Sequence, residues 1–236
     1  MSKGYKSILC ISDMHHPYAH KDVTAFLRAV KDKFKPDKIV CMGDEVDHHA
    51  MSFHDSDGDL FSAGDELQTA IECLKPLYKL FPRMDVISSN HGDMVYRKAK
   101  HHGIPRAYLK SYGDVLEAPK GWHWHNELVL KTSIGTDIYF HHGKSTDVFK
   151  TSQAMSMSHV AGHYHEKFSI SYWANPTGLY YGLQTGCLVD DKSLAFAYNK
   201  TNLKRPIIGL GVIVEGLPQL VPMVLDKYHR WIGKLL

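Results

Sequence analysis

Short apolar runs, each broken by a cluster of polar residues, set the rhythm of the N-terminal half. Lys6 to Ile11 and Lys38 to Met42 are nearly continuous apolar stretches, as is Met84 to Ile87. Runs of this length without alternation read as strands buried on both faces. We place the third strand at Asp85 to Ser88. Between the first two, Val23, Phe26, Leu27 and Val30 recur at helical spacing behind Asp22, an expected N-cap. Lys31, Lys33 and Lys35 suit the negative end of that helix, and Pro36 stops it. Strand, helix and strand within ~35 residues make a βαβ unit, hence a parallel pair with a right-handed crossover.

Asp65-Glu66-Leu67-Gln68 reads as a capping box opening a second helix, with Leu67, Ala70, Ile71, Leu74 and Tyr78 on one face and Pro82 beyond its end. Residues 48–64 before it form an irregular, His- and Asp-rich loop, long enough to be functional. A short helix is expected over Met94 to Lys100, basic on its outer side through Arg97, Lys98 and Lys100. The second half is richer in strands. Leu128 to Lys131 and Asp137 to Phe140 flank the turn Ser133-Ile134-Gly135-Thr136. A helix within Ser145 to Met155 follows, then strands at Ser158 to Ala161, Phe168 to Trp173, Leu179 to Gln184, Leu194 to Tyr198 and Ile207 to Val214. Phe168, Ile170 and Tyr172 alternate with polar neighbours, the mark of a half-buried strand. The change of character near residue 125 reads as a change of sheet within a single domain spanning 1–236, with a core over about 6–198 and C-terminal strands and tail over 199–236.

Composition adds one surprise. The chain of 236 residues is ordinary in apolar and charged content, with a net charge of +3, too small to argue nucleic-acid binding alone. It carries 17 histidines, however, and imidazole is the commonest metal ligand. Cys10, Cys41, Cys73 and Cys187 are scattered, which fits free thiols in a reducing, cytoplasmic setting. The N-terminus has no signal-peptide pattern, and no window has the ~18 apolar residues of a membrane span.

The polar clusters carry the chemistry, because they fall at strand ends. Asp13 and His15 follow the first strand, and Gly43-Asp44-Glu45-Val46-Asp47 follows the second. Ser89-Asn90-His91-Gly92 follows the third. His141-His142-Gly143 and Gly162-His163-Tyr164-His165 follow strands of the second half. The carboxyl edge of a parallel sheet is where ligands bind. Carboxylate, amide and imidazole together suit divalent Mn, Fe or Zn better than calcium.

This series, Asp-x-His, Gly-Asp-x-x-Asp, Asn-His, His-Gly and Gly-His-x-His, resembles the calcineurin-like metallophosphoesterase family over roughly residues 6–198. The resemblance implies an α/β fold, a four-layer α/β/β/α sandwich of two mixed sheets flanked by helices. It implies two divalent ions (Mn foremost, with Fe, Zn, Ni or Mg as alternatives). Asp13, His15 and His165 would hold one ion and Asn90, His142 and His163 the other, with Asp44 bridging. His142 is preferred to His141 because the family's ligand directly precedes the glycine. His91 would be the general acid, with Asp47 orienting it, and a metal-bridging hydroxide the nucleophile. The family usually has glycine before Asn-His and an acidic residue after it; Ser89 and Gly92 stand there in this chain.

The leading expectation is therefore metal-dependent phosphoester hydrolysis, by a phosphatase or phosphodiesterase. Substrates in range are a phosphorylated small molecule, a nucleotide, a phosphoprotein or nucleic acid; a homo-oligomer is compatible, and no membrane partner is expected. A nuclease is the alternative, with Arg97, Lys98, Lys100, Arg106 and Lys110 as a basic surface and Trp122 and Trp124 to stack bases. A non-catalytic metal-binding scaffold is a third reading, disfavoured because every ligand and the acid are retained. The remaining histidines, His48, His49, His54, His101, His102, His123 and His125, match no family ligand. Most are expected to be exposed, with the 48–54 group nearest to substrate.

Overall fold

The computed structural model describes residues 4–52, 59–193 and 204–235. The βαβ unit is present as β1 (Ser7–Ile11), α1 (Val23–Phe34) and β2 (Lys38–Cys41), with Leu9 beside Ile39 in a parallel pair. Every residue of β1 is buried, as an apolar run with two covered faces requires. Asp22 precedes α1 without capping it. Its carboxylate instead accepts from the Arg230 guanidinium at 2.5 and 2.8 Å and from the Trp231 amide at 3.0 Å. A charged partner from the far end of the chain outcompetes the helix amides.

The second helix, α2 (Ala63–Leu80), begins earlier than expected. Its cap is Ser62, whose hydroxyl accepts from the Asp65 amide at 3.3 Å and donates to the Asp65 carboxylate at 2.6 Å. Asp65 is thus the acid of the capping box and not its first residue. Glu66 is released to turn inward, where it accepts the amides of His49 and Ala50 at 2.7 and 2.9 Å. That bond fixes a 3-10 turn, His49–Met51, at the start of the expected irregular loop. Residues 53–58 of that loop, His54 among them, lie outside the described residues.

Next come β3 (Met84–Ile87), α3 (Met94–His101), a 3-10 turn at Arg106–Tyr108, α4 (Tyr112–Val115) and β4 (Trp122–His125). The second half holds β5 (Leu128–Lys131), β6 (Asp137–His141), α5 (Val148–Met155), β7 (Ser158–Ala161), β8 (Phe168–Asn175) and β9 (Gly178–Thr185). The pair β10 (Gly209–Val214) and β11 (Leu217–Pro222) follows. The expected strand at Leu194 to Tyr198 lies outside the described residues.

The strands form two mixed sheets, ordered β11-β10-β1-β2-β3-β4 and β5-β6-β7-β9-β8. The chain passes from one to the other between His125 and Leu128, at the expected change of sheet. The C-terminal strands are integral to the first sheet: β10 runs antiparallel to β1, with Val212 opposite Leu9.

Alternation along β1 sorts its side chains into two cores. Ile8 and Cys10 pack with Val40, Met42, Phe140, Val160 and Leu183 between the sheets. Leu9 and Ile11 pack with Phe26, Leu27, Leu74 and Leu77 beneath α1 and α2. With α5 covering β7 and β9, the order is helix, sheet, sheet, helix. The tail closes over the first helix layer, Trp231 meeting Phe26 edge-on at 5.6 Å. Among the described residues no helix is long and apolar enough to cross a membrane. Strands β1, β2 and β3 are mutually parallel, as are β6 and β7, so the polar segments beyond each set leave its sheet on one edge.

Candidate metal centre

Five loops bring the sequence-derived residues together. Asp13, His15 and His165 form one group, with His165 Nε2 3.3 Å from Asp13 Oδ1 and 3.1 Å from His15 Nε2. Asp44, His142 and His163 form a second, with His142 Nε2 3.1 Å from both Asp44 Oδ2 and His163 Nδ1. Asn90 Oδ1 joins that group at 2.9 Å from His142 Nε2. Asp44 Oδ2 also lies 3.6 Å from His15 Nε2, so one carboxylate oxygen faces both groups. His141 is excluded from the cluster. Its Nδ1 accepts from the Gly143 amide at 3.1 Å, and its ring stacks on Tyr139.

Local backbone geometry explains how short loops present so many candidate ligands. Asp13, His15, Asp44 and His163 all have positive φ, between 50° and 70°, a conformation costly to non-glycine residues. Strain of this kind persists where surrounding bonds over-determine it. The Asp13 carboxylate accepts the His163 amide at 2.9 and 3.1 Å, and the Ser12 hydroxyl donates to the same group. Ser89 Oγ accepts the amides of Asp44 at 3.0 Å and Gly92 at 3.2 Å, pinning the β2 and β3 loops to each other.

The ring tautomers show what the centre needs. His142 Nδ1 lies 2.7 Å from the carbonyl oxygen of Met42, which only accepts, so Nδ1 carries the hydrogen. In the neutral ring Nε2 is then a bare lone pair, yet it faces Asp44 Oδ2 and Asn90 Oδ1. Acceptors pointed at one another require a cation between them. In the absence of a metal a proton serves: burial would lower the His142 pKa, but Asp44 overrides it and pushes it up to about 9. Burial likewise opposes ionisation of Asp13, and hydrogen bonds from His15 and His165 still hold its carboxyl well below the usual range. The donor set of imidazole, carboxylate and amide fits divalent transition ions.

Asp47 is placed differently from expectation in one respect. Its carboxylate lies 2.5 Å from His15 Nδ1 and only 3.5 Å from His91 Nδ1. The hydrogen bond to His91 Nδ1 is taken by the main-chain carbonyl of Asp47. The His91 amide meanwhile donates to Asp44 Oδ1 at 3.3 Å.

Several side chains read otherwise from sequence are structural. Trp122 is buried and donates to the Phe81 carbonyl at 2.8 Å, while Trp124 donates to Glu45 at 3.0 Å. Both pack around β4, Trp122 buried and Trp124 half-buried, and both line a cavity of about 740 Å³ shared with Arg106, Lys110 and Tyr112. Burial raises the Glu45 carboxyl to about 7. His48, of the group expected nearest to substrate, is buried, and the Tyr112 hydroxyl lies 3.0 Å from its Nε2. No spacing rule links residues so far apart in the chain.

A family model described as calcineurin-like phosphoesterase matches residues 6–180. Among solved structures, Vacuolar Protein Sorting 29 from Cryptosporidium parvum is similar with a TM-score of 0.52 at 14% identity, over 99% of this chain and 95% of that one. The phosphoesterase Yfce from E. coli has a TM-score of 0.43 at 11% identity, over 98% of each chain. A metallophosphoesterase from Sphaerobacter thermophilus has a TM-score of 0.41 at 15% identity, over 88% of this chain and 83% of that one. At such identities the first likeness bears on the fold alone. No curated protein sequence matches the chain.

Proposed function

The chain belongs to the calcineurin-like phosphoesterase family, and from that premise we propose that it hydrolyses phosphoester bonds with two divalent ions bound. Asp13, His15 and His165 would hold one ion, and Asn90, His142 and His163 the other, with Asp44 reaching both. The observation that carries the reading is the position of Asp44 Oδ2, 3.1 Å from His142 Nε2 and 3.6 Å from His15 Nε2. When bound, two such ions acidify water and offset charge on the phosphoryl oxygens. Manganese is our working choice among the ions this donor set suits.

His91 supplies the proton. Its ring is oriented through Nδ1 by the Asp47 carbonyl. The imidazolium gives its Nε2 proton to the leaving oxygen as the P–O bond breaks. The neutral ring that remains keeps the Nδ1 hydrogen that the carbonyl requires, and Nε2 regains a proton from water before the next turnover.

Two competing readings are weaker. A nuclease would want free aromatic faces beside its basic residues, and Trp122, one of the two candidates, is buried in the core. A scaffold would not need the full ligand series with His91 beside it.

The test is turnover of aryl phosphate mono- and diesters by protein stripped of metal and reloaded with Mn²⁺. Hydrolysis that appears with Mn²⁺ and disappears on chelation is expected. Bound Mn²⁺ with no turnover of any phosphoester contradicts the proposal.

A further inference from the structure

Gly92 directly follows His91, the proton donor of the proposed reaction. A Cβ at residue 92 would lie 3.2 Å from Tyr112 Cε1 and 3.3 Å from Ser89 Oγ, so Tyr112 has taken the space. Its ring is set at the start of α4 and packs edge-on against Trp124 at 5.9 Å. Its hydroxyl lies 3.0 Å from His48 Nε2, and the two rings are 5.8 Å apart.

His48 is an unusual residue to find there. It is 1% exposed and adopts φ 53° and ψ 35°, a left-handed conformation that non-glycine residues hold only against a cost. The peptide joining Asp47 to His48 carries the carbonyl that His91 Nδ1 donates to. The direction of that carbonyl is therefore tied to the backbone of His48, which the Tyr112 hydroxyl anchors by its side chain. The Asp47 carboxylate, 2.5 Å from His15 Nδ1, is committed elsewhere.

We propose that Tyr112 and His48 are positioning residues for His91, holding the Asp47 carbonyl on its Nδ1. The inference rests on the reading of His91 as proton donor. Its consequence concerns substrate range: esters of weakly acidic alcohols or phenols, whose leaving oxygen must be protonated, depend on this arrangement, whereas activated esters depend on it less.

The test uses the Mn²⁺-loaded full chain and aryl phosphate esters whose leaving groups span a range of acidity, in wild type, Tyr112→Phe, His48→Gln and His91→Ala. Tyr112→Phe should lower kcat at least tenfold more for the phenyl ester than for the 2,4-dinitrophenyl ester, with bound Mn²⁺ and Tm near wild type. His48→Gln should behave alike, and Tyr112→Phe should add less than twofold on a His91→Ala background. Equal losses for both esters, no loss, or full additivity with His91→Ala would overturn the proposal. If His91→Ala loses no more activity on the phenyl ester than on the 2,4-dinitrophenyl ester, the proton-donor reading fails. A readout without turnover separates the two: ¹⁵N shifts of the His91 ring should report an Nδ1-protonated tautomer in wild type and a mixture in Tyr112→Phe. An unchanged tautomer in the variant refutes the positioning role whatever the activity.

Discussion

The Asp47 carboxylate lies 2.5 Å from His15 Nδ1, both side chains buried, so it fixes the ring whose Nε2 faces Asp13 and Asp44. A carboxylate behind a metal-ligating histidine sets its tautomer and raises its basicity, and removing one weakens metal binding by about 10- to 100-fold. Asp47→Asn is therefore expected to lower Mn²⁺ affinity by that order, measured by competition with a fluorescent chelator. Unchanged affinity would mean that the carboxylate serves His91 alone.

Gly43 sits at φ 99°, and a Cβ there would lie 2.6 Å from both the Ile87 carbonyl oxygen and Ser89 Cβ. Gly43→Ala meets a backbone atom that cannot yield and a conformation that L-residues avoid. A loss of about 2 kcal/mol or more is expected, read as a lower urea midpoint. The same change moves Asp44, so metal affinity should fall with stability.

His159 is fully buried on β7, and burial lowers its pKa from 6.5 to about 4. The folded chain therefore binds fewer protons than the unfolded chain between those values, and stability must fall as pH drops through that window. The contribution is on the order of 3 kcal/mol, fully present above pH ~6.5 and lost by pH ~4. Urea unfolding across this range should show a shallower pH slope in His159→Leu than in wild type. Parallel slopes would contradict a neutral buried ring.

The tail makes two contacts of very different worth. The Arg230–Asp22 ion pair is open to water on the arginine side, where screening leaves such a pair little net stabilisation. Trp231 places its ring against Phe26 in the core, a contact whose loss costs roughly 1–3 kcal/mol for a partly buried aromatic. Trp231→Ala should lower Tm clearly more than Arg230→Ala and speed proteolysis of the tail. The reverse order would mean that the tail is held by charge.

Much of the fold was legible because strand runs and helical faces are local patterns. β1, β2 and β3 are nearly continuous apolar stretches, broken only by Ser7, Lys38 and Asp85, and the candidate ligands lie just beyond strands, where residue type alone marks them. What escaped was decided by distant partners. Asp22 looks like a cap until Arg230 arrives, and Ser62 wins the cap of α2 because its hydroxyl reaches Asp65. β4 has no run of aliphatic residues to mark it: Trp122 and Trp124 alternate with His123 and His125, and the strand is defined by its pairing with β3. The division of labour within Asp47, carboxylate to His15 and carbonyl to His91, has no trace in a one-dimensional pattern.

The claim on which everything else depends is that Asp44 is shared by two ions. Metal content per chain, determined by elemental mass spectrometry after equilibration with Mn²⁺ and desalting, tests it directly. Wild type should hold two ions, and Asp44→Ala should hold fewer than one, because both groups lose the same oxygen. Two ions retained by Asp44→Ala, or a single ion in wild type, would contradict the account.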